Sequence, residues 1–366
     1  MRLTLRPPWR VLFAVPPGRT RAAIGSRRRR ARSAVAIGFL CLLAAQLAMS
    51  LAVETVQPEW RDPEYGHRIK PLRELQRTHP DRLLVVAVGS SRTLMGFSPR
   101  DMHFAEEPGS PLIYNFGQTG AGPLQILFTV LRILDDGVKP DGLLIELFPT
   151  ALVGDGPAET MMETWAPRWN AGDLRRLEPY ARDPSELTRD WVGQRIAPWH
   201  SLRFSLMNHW MPNWLPVSKR LDYQWNGLDS RGWLSYPKQF VPAAERQLFI
   251  EAAGESFRKQ LDHYRIGATS DRALRDIAVR CRRDGIRLAF YLMPEGPAFA
   301  SWYPPGAKAT FADYAAKLSR ETGAPVFDSS EGFAETEFAD SHHMLPGGAA
   351  RFSGKLAREH LDEWLK

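Results

Sequence analysis

Cysteine is nearly absent from this chain: two in 366 residues, Cys41 inside an apolar run and Cys281 inside a helical pattern. That is too few for a disulfide framework or a cysteine zinc cluster, so the fold must stand on its core. Acidic residues are missing altogether from positions 1–33, which hold ten arginines. The net charge of +7 therefore belongs to this tail, and removing the ten leaves about −3 for the rest. That balance argues against a nucleic-acid partner for the globular part. The stretch 150–246 shows no internal repeat or low-complexity tract. His200, His209 and His263 have no ligand-like spacing, so no metal site is expected. What the chain does have is enough apolar material, 44% of its residues, to bury one large core or two modest ones.

One long hydrophobic run is present. Ala34 to Val53 is 20 residues without a charge, interrupted in polarity only by Gln46 and Ser50. About 20 helical residues cross roughly 30 Å of hydrocarbon. Arg27, Arg28, Arg29, Arg30 and Arg32 stand directly before it, and positive charge beside a span is retained in the cytoplasm. The pattern predicts a basic cytoplasmic tail at 1–33 and a single-pass signal-anchor at 34–54 held in the lipid bilayer, with the remaining domain extracytoplasmic, in a periplasm or at the cell surface. Two other readings stay open. Ala48-Met49-Ser50 resembles a cleavage site, and the arginine pairs resemble a twin-arginine signal; the run could also be a buried helix of a soluble protein.

Beyond it, strand and helix signals alternate. Leu83–Val88, Leu112–Tyr114 and Leu143–Leu147 are short β-rich runs, and Pro123 to Asp136 carries apolar residues at helical spacing. After an interruption come a helix from about Ser270 to Arg283, a strand Ile286–Leu292, a helix Ala307–Glu321, a strand Pro325–Phe327 and a last helix Gly348–Leu365. Near-continuous apolar strands between helices predict an α/β fold, with a parallel sheet covered on both faces. In such sheets, sites form where loops leave the carboxyl ends of strands. The sheet domain divides into 55–149 and 247–366.

The interruption, 150–246, holds eight of the twelve tryptophans, Trp165, Trp169, Trp191, Trp199, Trp210, Trp214, Trp225 and Trp233, among prolines that include Pro167 and Pro198. A cap whose aromatics fill their own small core, an aromatic groove for a sugar chain or lipid, and a surface resting at the membrane interface all fit this composition.

Two short segments carry the chemistry. Gly89-Ser90-Ser91-Arg92 follows the first apolar strand, and Asp340-Ser341-His342-His343 precedes the last helix. A serine on a strand-to-helix turn needs a base, and an Asp three residues before a His can orient one. That spacing favours His343 over His342. Alone, Gly-Ser-Ser-Arg is an ordinary turn string, and Asp340 suits a helix cap or the surface as well as a triad. Arg92 reads as a solvated side chain or as a contact to an anionic substrate. Glu146, within an apolar strand, is either a buried hydrogen-bonded carboxylate or a site acid. Met293 to Pro305 follows a strand end and borders the site, as substrate loop or stiff connection.

In their order these features resemble the SGNH/GDSL hydrolase superfamily, particularly its membrane-anchored extracytoplasmic members associated with acylation of cell-surface polysaccharides. The resemblance covers 82–149 and about 270–366. It implies a flavodoxin-like three-layer fold, Ser91 as nucleophile in the place of a Gly-Asp-Ser turn, and Asp340 and His343 as its partners. Asn115-Phe116-Gly117-Gln118-Thr119-Gly120 matches the family's second block, which implies an oxyanion hole from the amides of Ser91 and Gly120, with Asn115 beside the substrate. It implies no cofactor, a polysaccharide or acyl-donor substrate, and a membrane acyltransferase partner. Two departures stand out: Ser90 replaces the usual aspartate, and Phe148-Pro149-Thr150 replaces the third block, Gly-x-Asn-Asp. Loss of one oxyanion donor costs about 3–4 kcal/mol of transition-state stabilisation. The expected function is a serine esterase or O-acyltransferase; the alternative is an inactive scaffold or glycan-binding protein of an envelope-polymer assembly.

Overall fold

The computed structural model describes residues 21–56, 58–104, 109–153, 168–196 and 198–366. Most of the expected basic tail, together with Trp165 and Pro167, lies outside the described residues. The chain divides after Leu51 into two compact units. The first contains helix α1 (Arg21–Leu51), whose apolar side chains, Phe39, Leu40 and Leu47 among them, are exposed. By length and composition α1 fits a membrane anchor or a signal sequence alike.

The second unit, Ala52–Lys366, runs α2 (Pro63–Thr78), β1 (Leu84–Gly89), α3 (Ser91–Gly96), β2 (Leu112–Gly117), α4 (Pro123–Asp135) and β3 (Gly142–Glu146). It continues through α5 (Ala171–Leu177), α6 (Pro184–Ile196), α7 (Pro198–Trp210), α8 (Ala243–Leu261) and α9 (Ala268–Asp284). It closes with β4 (Arg287–Leu292), α10 (Pro297–Ala300), α11 (Ala307–Thr322), β5 (Val326–Asp328) and α12 (Pro346–Leu356). The expected final helix is interrupted: after α12 a π-helical turn, Ala357–Leu361, precedes a last helical turn, Asp362–Trp364.

All five strands pair in parallel, in the order β2-β1-β3-β4-β5. This is the doubly wound, flavodoxin-like order, in which connections leave in opposite directions from β1 and β3 and open a crevice at their carboxyl ends. Alternate residues of each strand face opposite layers. Leu84, Val86 and Val88 pack with α2, α4, α9 and α11, through Leu72, Phe128, Ile277 and Leu318. Val85 and Ala87 face the other layer, with Phe97, Trp233, Phe352 and Leu356. A parallel strand covered on both faces has no polar side to alternate with, which is why β1 is an unbroken apolar run buried throughout. Truncating a core aromatic such as Phe352 to Ala costs about 3–5 kcal/mol.

The tryptophan-rich insertion does not form a separate core around all its aromatics, contrary to the simple cap expectation. Trp169 packs on Phe128 of α4, ring centroids 6.2 Å apart. Trp233 joins the opposite layer and its Nε1 donates to Met95 O at 2.8 Å. Arg132 of α4 ties the insertion to α2, pairing at 2.8 Å with Asp62 and at 2.7 Å with Asp173. Beside the sheet, Asn115 N donates to Arg231 O at 2.8 Å, so the insertion's end covers the edge strand β2.

Candidate active site

The site begins where β1 runs out of sheet. Gly89 must be glycine: a Cβ there would overlap Thr93 Oγ1 and lie 2.5 Å from Glu146 Oε2. Ser90 then caps α3, its Oγ accepting from Arg92 N at 3.1 Å. Capping by a short oxygen-bearing side chain is what an aspartate in this turn also supplies. Ser91 becomes the first residue of α3, half-buried at the crevice between β1 and β3. Gly117 of β2 lets α3 lie against the sheet, since a Cβ there would overlap Leu94 N and lie 2.9 Å from Ser90 O.

Asp340 and His343 arrive from the other end of the chain. Bridging of Phe338 to Met344 closes a tight loop. Within it Ser341 has φ +71°, the left-handed region that a non-glycine residue adopts at a cost. Three bonds hold that conformation: Gly296 N donates to Ser341 O at 2.7 Å, Phe299 N to Ser341 Oγ at 2.8 Å, and Ser341 Oγ to Glu335 Oε2 at 3.1 Å. Asp340 Oδ1 accepts from His343 N at 2.7 Å, and Asp340 Oδ2 from His343 Nδ1 at 2.6 Å. A carboxylate only accepts, so the proton is on Nδ1 and Nε2 is left as the acceptor. Ser91 Oγ donates to that Nε2 at 2.8 Å. Burial alone would raise the Asp340 carboxyl, but the electrostatic pull of the His343 ring and its side-chain and backbone hydrogen bonds hold it well below the usual carboxylate range.

His342 is held differently. It is buried, with ring centroids 5.1 Å from Phe257 and 5.5 Å from Phe299. Burial, with a smaller push from the neighbouring His343 ring, brings its pKa down to about 3. It is a neutral ring near pH 7 and makes no hydrogen bond to Ser91.

The three residues offered as substrate contacts are scaffold. Arg92 is 1% exposed, so neither its solvated nor its substrate-binding reading holds. Its Nη2 donates to Met293 O at 2.7 Å and Pro294 O at 3.0 Å, and its guanidinium stands 4.2 Å from the Phe148 ring centre. Asn115 is fully buried; its Nδ2 donates to Thr93 O at 2.8 Å and Phe97 O at 2.6 Å, fastening α3 to β2. Glu146 is the buried hydrogen-bonded carboxylate, accepting from Ser90 N at 2.6 Å and Thr93 Oγ1 at 2.7 Å. Sequence patterns nominated these residues because their types carry chemistry, yet backbone groups absorb them.

Gly120 follows β2 in an exposed turn at φ +71°, with open space where a Cβ would stand. Thr119 N donates to Glu64 Oε1 at 2.8 Å, which fixes the turn just before it. Neither the Ser91 nor the Gly120 amide has a protein acceptor among the described residues. No asparagine follows β3 in the stretch 147–153; Phe148 lies against Arg92 there, and Thr150 and Tyr303 share a hydrogen bond of 3.2 Å. Thr93, Tyr291, Glu295, Ser341 and Glu335 were not legible as site residues. The one sequence signal was the glycine of Pro294-Glu295-Gly296, whose Cβ would lie 2.5 Å from Ser341 Oγ.

Loop 293–303 is tied down by its own polar contacts. Glu295 accepts from Tyr303 at 2.8 Å and lies 3.4 Å from Arg92, and burial raises its carboxyl pKa against the pull of that guanidinium. Behind this loop a cavity of about 690 Å³ opens at the ends of β3 to β5, lined by Leu147, Met293, Tyr303, Phe311 and Phe333 but by no residue of the Ser91–His343–Asp340 chain. Asp340, His342 and His343 bring three ligand atoms within 4.8 Å of one another. Both His343 nitrogens already take part in the hydrogen-bond chain, Nδ1 with Asp340 and Nε2 with Ser91, so a cation on His343 and this chain are competing uses of the same ring.

No protein-family model and no curated protein matches this chain. Among solved structures that match is a lipase/acylhydrolase from Enterococcus faecalis, 12% identical, aligned over 77% of this chain and 96% of that one with a TM-score of 0.35.

Proposed function

We propose that this chain is a serine acyl-transfer enzyme, an esterase or O-acyltransferase that works through an acyl-serine. The observation carrying this reading is the continuous bond path from Asp340 Oδ2 through His343 to Ser91 Oγ, at 2.6 and 2.8 Å. Ser91 Oγ attacks an ester carbonyl as its proton passes to His343 Nε2. The imidazolium is stabilised by Asp340 and returns the proton to the departing alcohol. The amides of Ser91 and Gly120 receive the oxyanion. Water then releases the acyl group in an esterase, and a sugar hydroxyl does so in a transferase.

The same reading makes α1 a retained anchor, with residues 34–54 in the bilayer, the arginines cytoplasmic and the Ser91 domain outside. Its substrate is an exported or envelope polysaccharide, and a membrane acyltransferase is a partner that fits the role of acyl supplier. The arginines Arg27 to Arg30 and Arg32, in the part of α1 ahead of the apolar stretch, and the resemblance in the motif blocks support this. The scaffold alternative rests on Phe148 standing where the family's third-block asparagine belongs. A fluorophosphonate probe on the detergent-solubilised chain separates the two. Labelling in the wild type and its loss in both Ser91→Ala and His343→Ala are expected; an unlabelled, folded wild type favours the scaffold.

A further inference from the structure

Outside α1, twelve large apolar side chains are exposed among the described residues, and eight of them fall between Val192 and Tyr223. Four stand within a single stretch of eight residues: Trp210 (50% exposed), Met211 (40%), Trp214 (76%) and Val217 (86%). Isolated exposed apolar side chains are ordinary, whereas a concentrated patch marks a surface that something covers. The stretch is fixed, not trailing. Trp210 packs edge-on against Trp60 with ring centroids 5.1 Å apart, and Asn208 Oδ1 accepts from Leu221 N at 2.6 Å, closing the loop behind it.

Composition and tether select the occupant. Residues 191–221 contain Arg195, Arg203, Lys219 and Arg220 and no acidic residue; Arg195 pairs with Glu54 and Arg220 with Asp222, so Arg203 and Lys219 are the cations that stand beside the exposed stretch for an anionic surface. Tryptophan with arginine and lysine is the pairing that suits the lipid headgroup layer, where rings are half-wet and cations meet anionic lipid. Trp60, on which Trp210 rests, is nine residues beyond Leu51, the last residue of α1, and nine residues reach at most about 32 Å. We propose that Trp210, Met211, Trp214 and Val217 lie in the headgroup region of an anionic bilayer, a second attachment that fixes how the Ser91 domain faces the membrane. The inference rests on α1 being a retained anchor.

The test uses the full chain in liposomes of phosphatidylcholine and phosphatidylglycerol, with single cysteines carrying an environment-sensitive fluorophore. Positions are Trp214→Cys, Val217→Cys, Leu47→Cys inside α1 and Val279→Cys, which is exposed on α9. The background is Cys41→Ala; Cys281 is buried and stays. Doxyl-labelled lipid is expected to quench positions 214 and 217 several-fold more than 279, with 47 quenched as a deep reference. Quenching at 47 without quenching at 214 and 217 overturns the surface and leaves the anchor standing. If those two labels are also shielded from aqueous iodide, a protein, such as a second copy, covers the patch instead. Absence of quenching at 47 removes the anchor reading and the proposal with it.

Discussion

Glu146→Gln tests how the nucleophile turn is held. Glu146 Oε2 receives Ser90 N at 2.6 Å and Thr93 Oγ1 at 2.7 Å, while Oε1 makes no hydrogen bond and faces Arg92 Nε at 3.9 Å. A glutamine can keep the first oxygen as an acceptor. Both bonds then become neutral, a loss of about 1 kcal/mol together. Its NH2 occupies the place of Oε1 and points a donor at a buried donor. Breaking a buried pair costs about 3–5 kcal/mol, but this one is long, and Arg92 keeps two carbonyls and Glu295, so a further 1–3 kcal/mol is expected. The sum is about 2–4 kcal/mol. Urea unfolding of the detergent-solubilised chain, followed by near-ultraviolet circular dichroism, should show a lower midpoint at unchanged slope. Probe labelling of Ser91 should slow by roughly 10–100-fold, because Ser90 N no longer holds the start of α3 as firmly. A variant within about 0.5 kcal/mol of the wild type, a margin typical of ordinary surface positions, would refute the reasoning.

Asp340→Asn keeps the loop's shape but no longer dictates the His343 tautomer, so Ser91 labelling should fall by about 10³–10⁴-fold with little change in circular dichroism. His342 has a folded pKa of about 3 against an ordinary 6.5, so below pH 6.5 the unfolded chain gains a proton that the folded chain refuses. Its contribution to stability is therefore complete above pH 6.5 and is lost as pH falls, by about 2–3 kcal/mol at pH 4.5, and His342→Phe should flatten that slope in urea titrations. The depressed Asp340 carboxyl acts in the same direction at lower pH, from about its ordinary 3.8 downward. Gly117→Ala places a Cβ 2.7 Å from Leu94 Cα and 2.9 Å from Ser90 O. Backbone must move, at about 1–3 kcal/mol of stability and about 100-fold in labelling.

The sheet was legible because its strands are short apolar runs bounded by turns; each of the five expected strands overlaps an observed one, to within about three residues at its ends. Helix α2 was not, since Pro71 interrupts it and Arg68, Glu64 and Asp62 are buried polar groups rather than a solvated face. Helices α6 and α7 carry weak apolar periodicity, because much of the insertion packs through single aromatics such as Trp169 and through ion pairs; α8, just beyond it, is weak as well. At the site, the Ser91, Asp340 and His343 positions were legible from spacing and from the turn that follows β1. The supporting shell was not. Whether Arg92, Asn115 or Glu146 faces a substrate or its own backbone depends on the return of distant segments, Met293–Pro294 and Thr93–Phe97, which no local pattern encodes. The left-handed Ser341 is invisible for the same reason: a serine there is held by contacts to Gly296 and Phe299 rather than by its own preference.

The central claim is that Ser91 becomes acylated. The measurement that meets it most directly is rapid acid quench of the chain with p-nitrophenyl acetate, followed by proteolysis and mass spectrometry of the Ser91 peptide. One acetyl group on Ser91 is expected, formed with a burst of p-nitrophenolate and absent from the His343→Ala variant. Turnover without acetyl on Ser91, or acetyl on Ser91 that persists undiminished in His343→Ala, would contradict it.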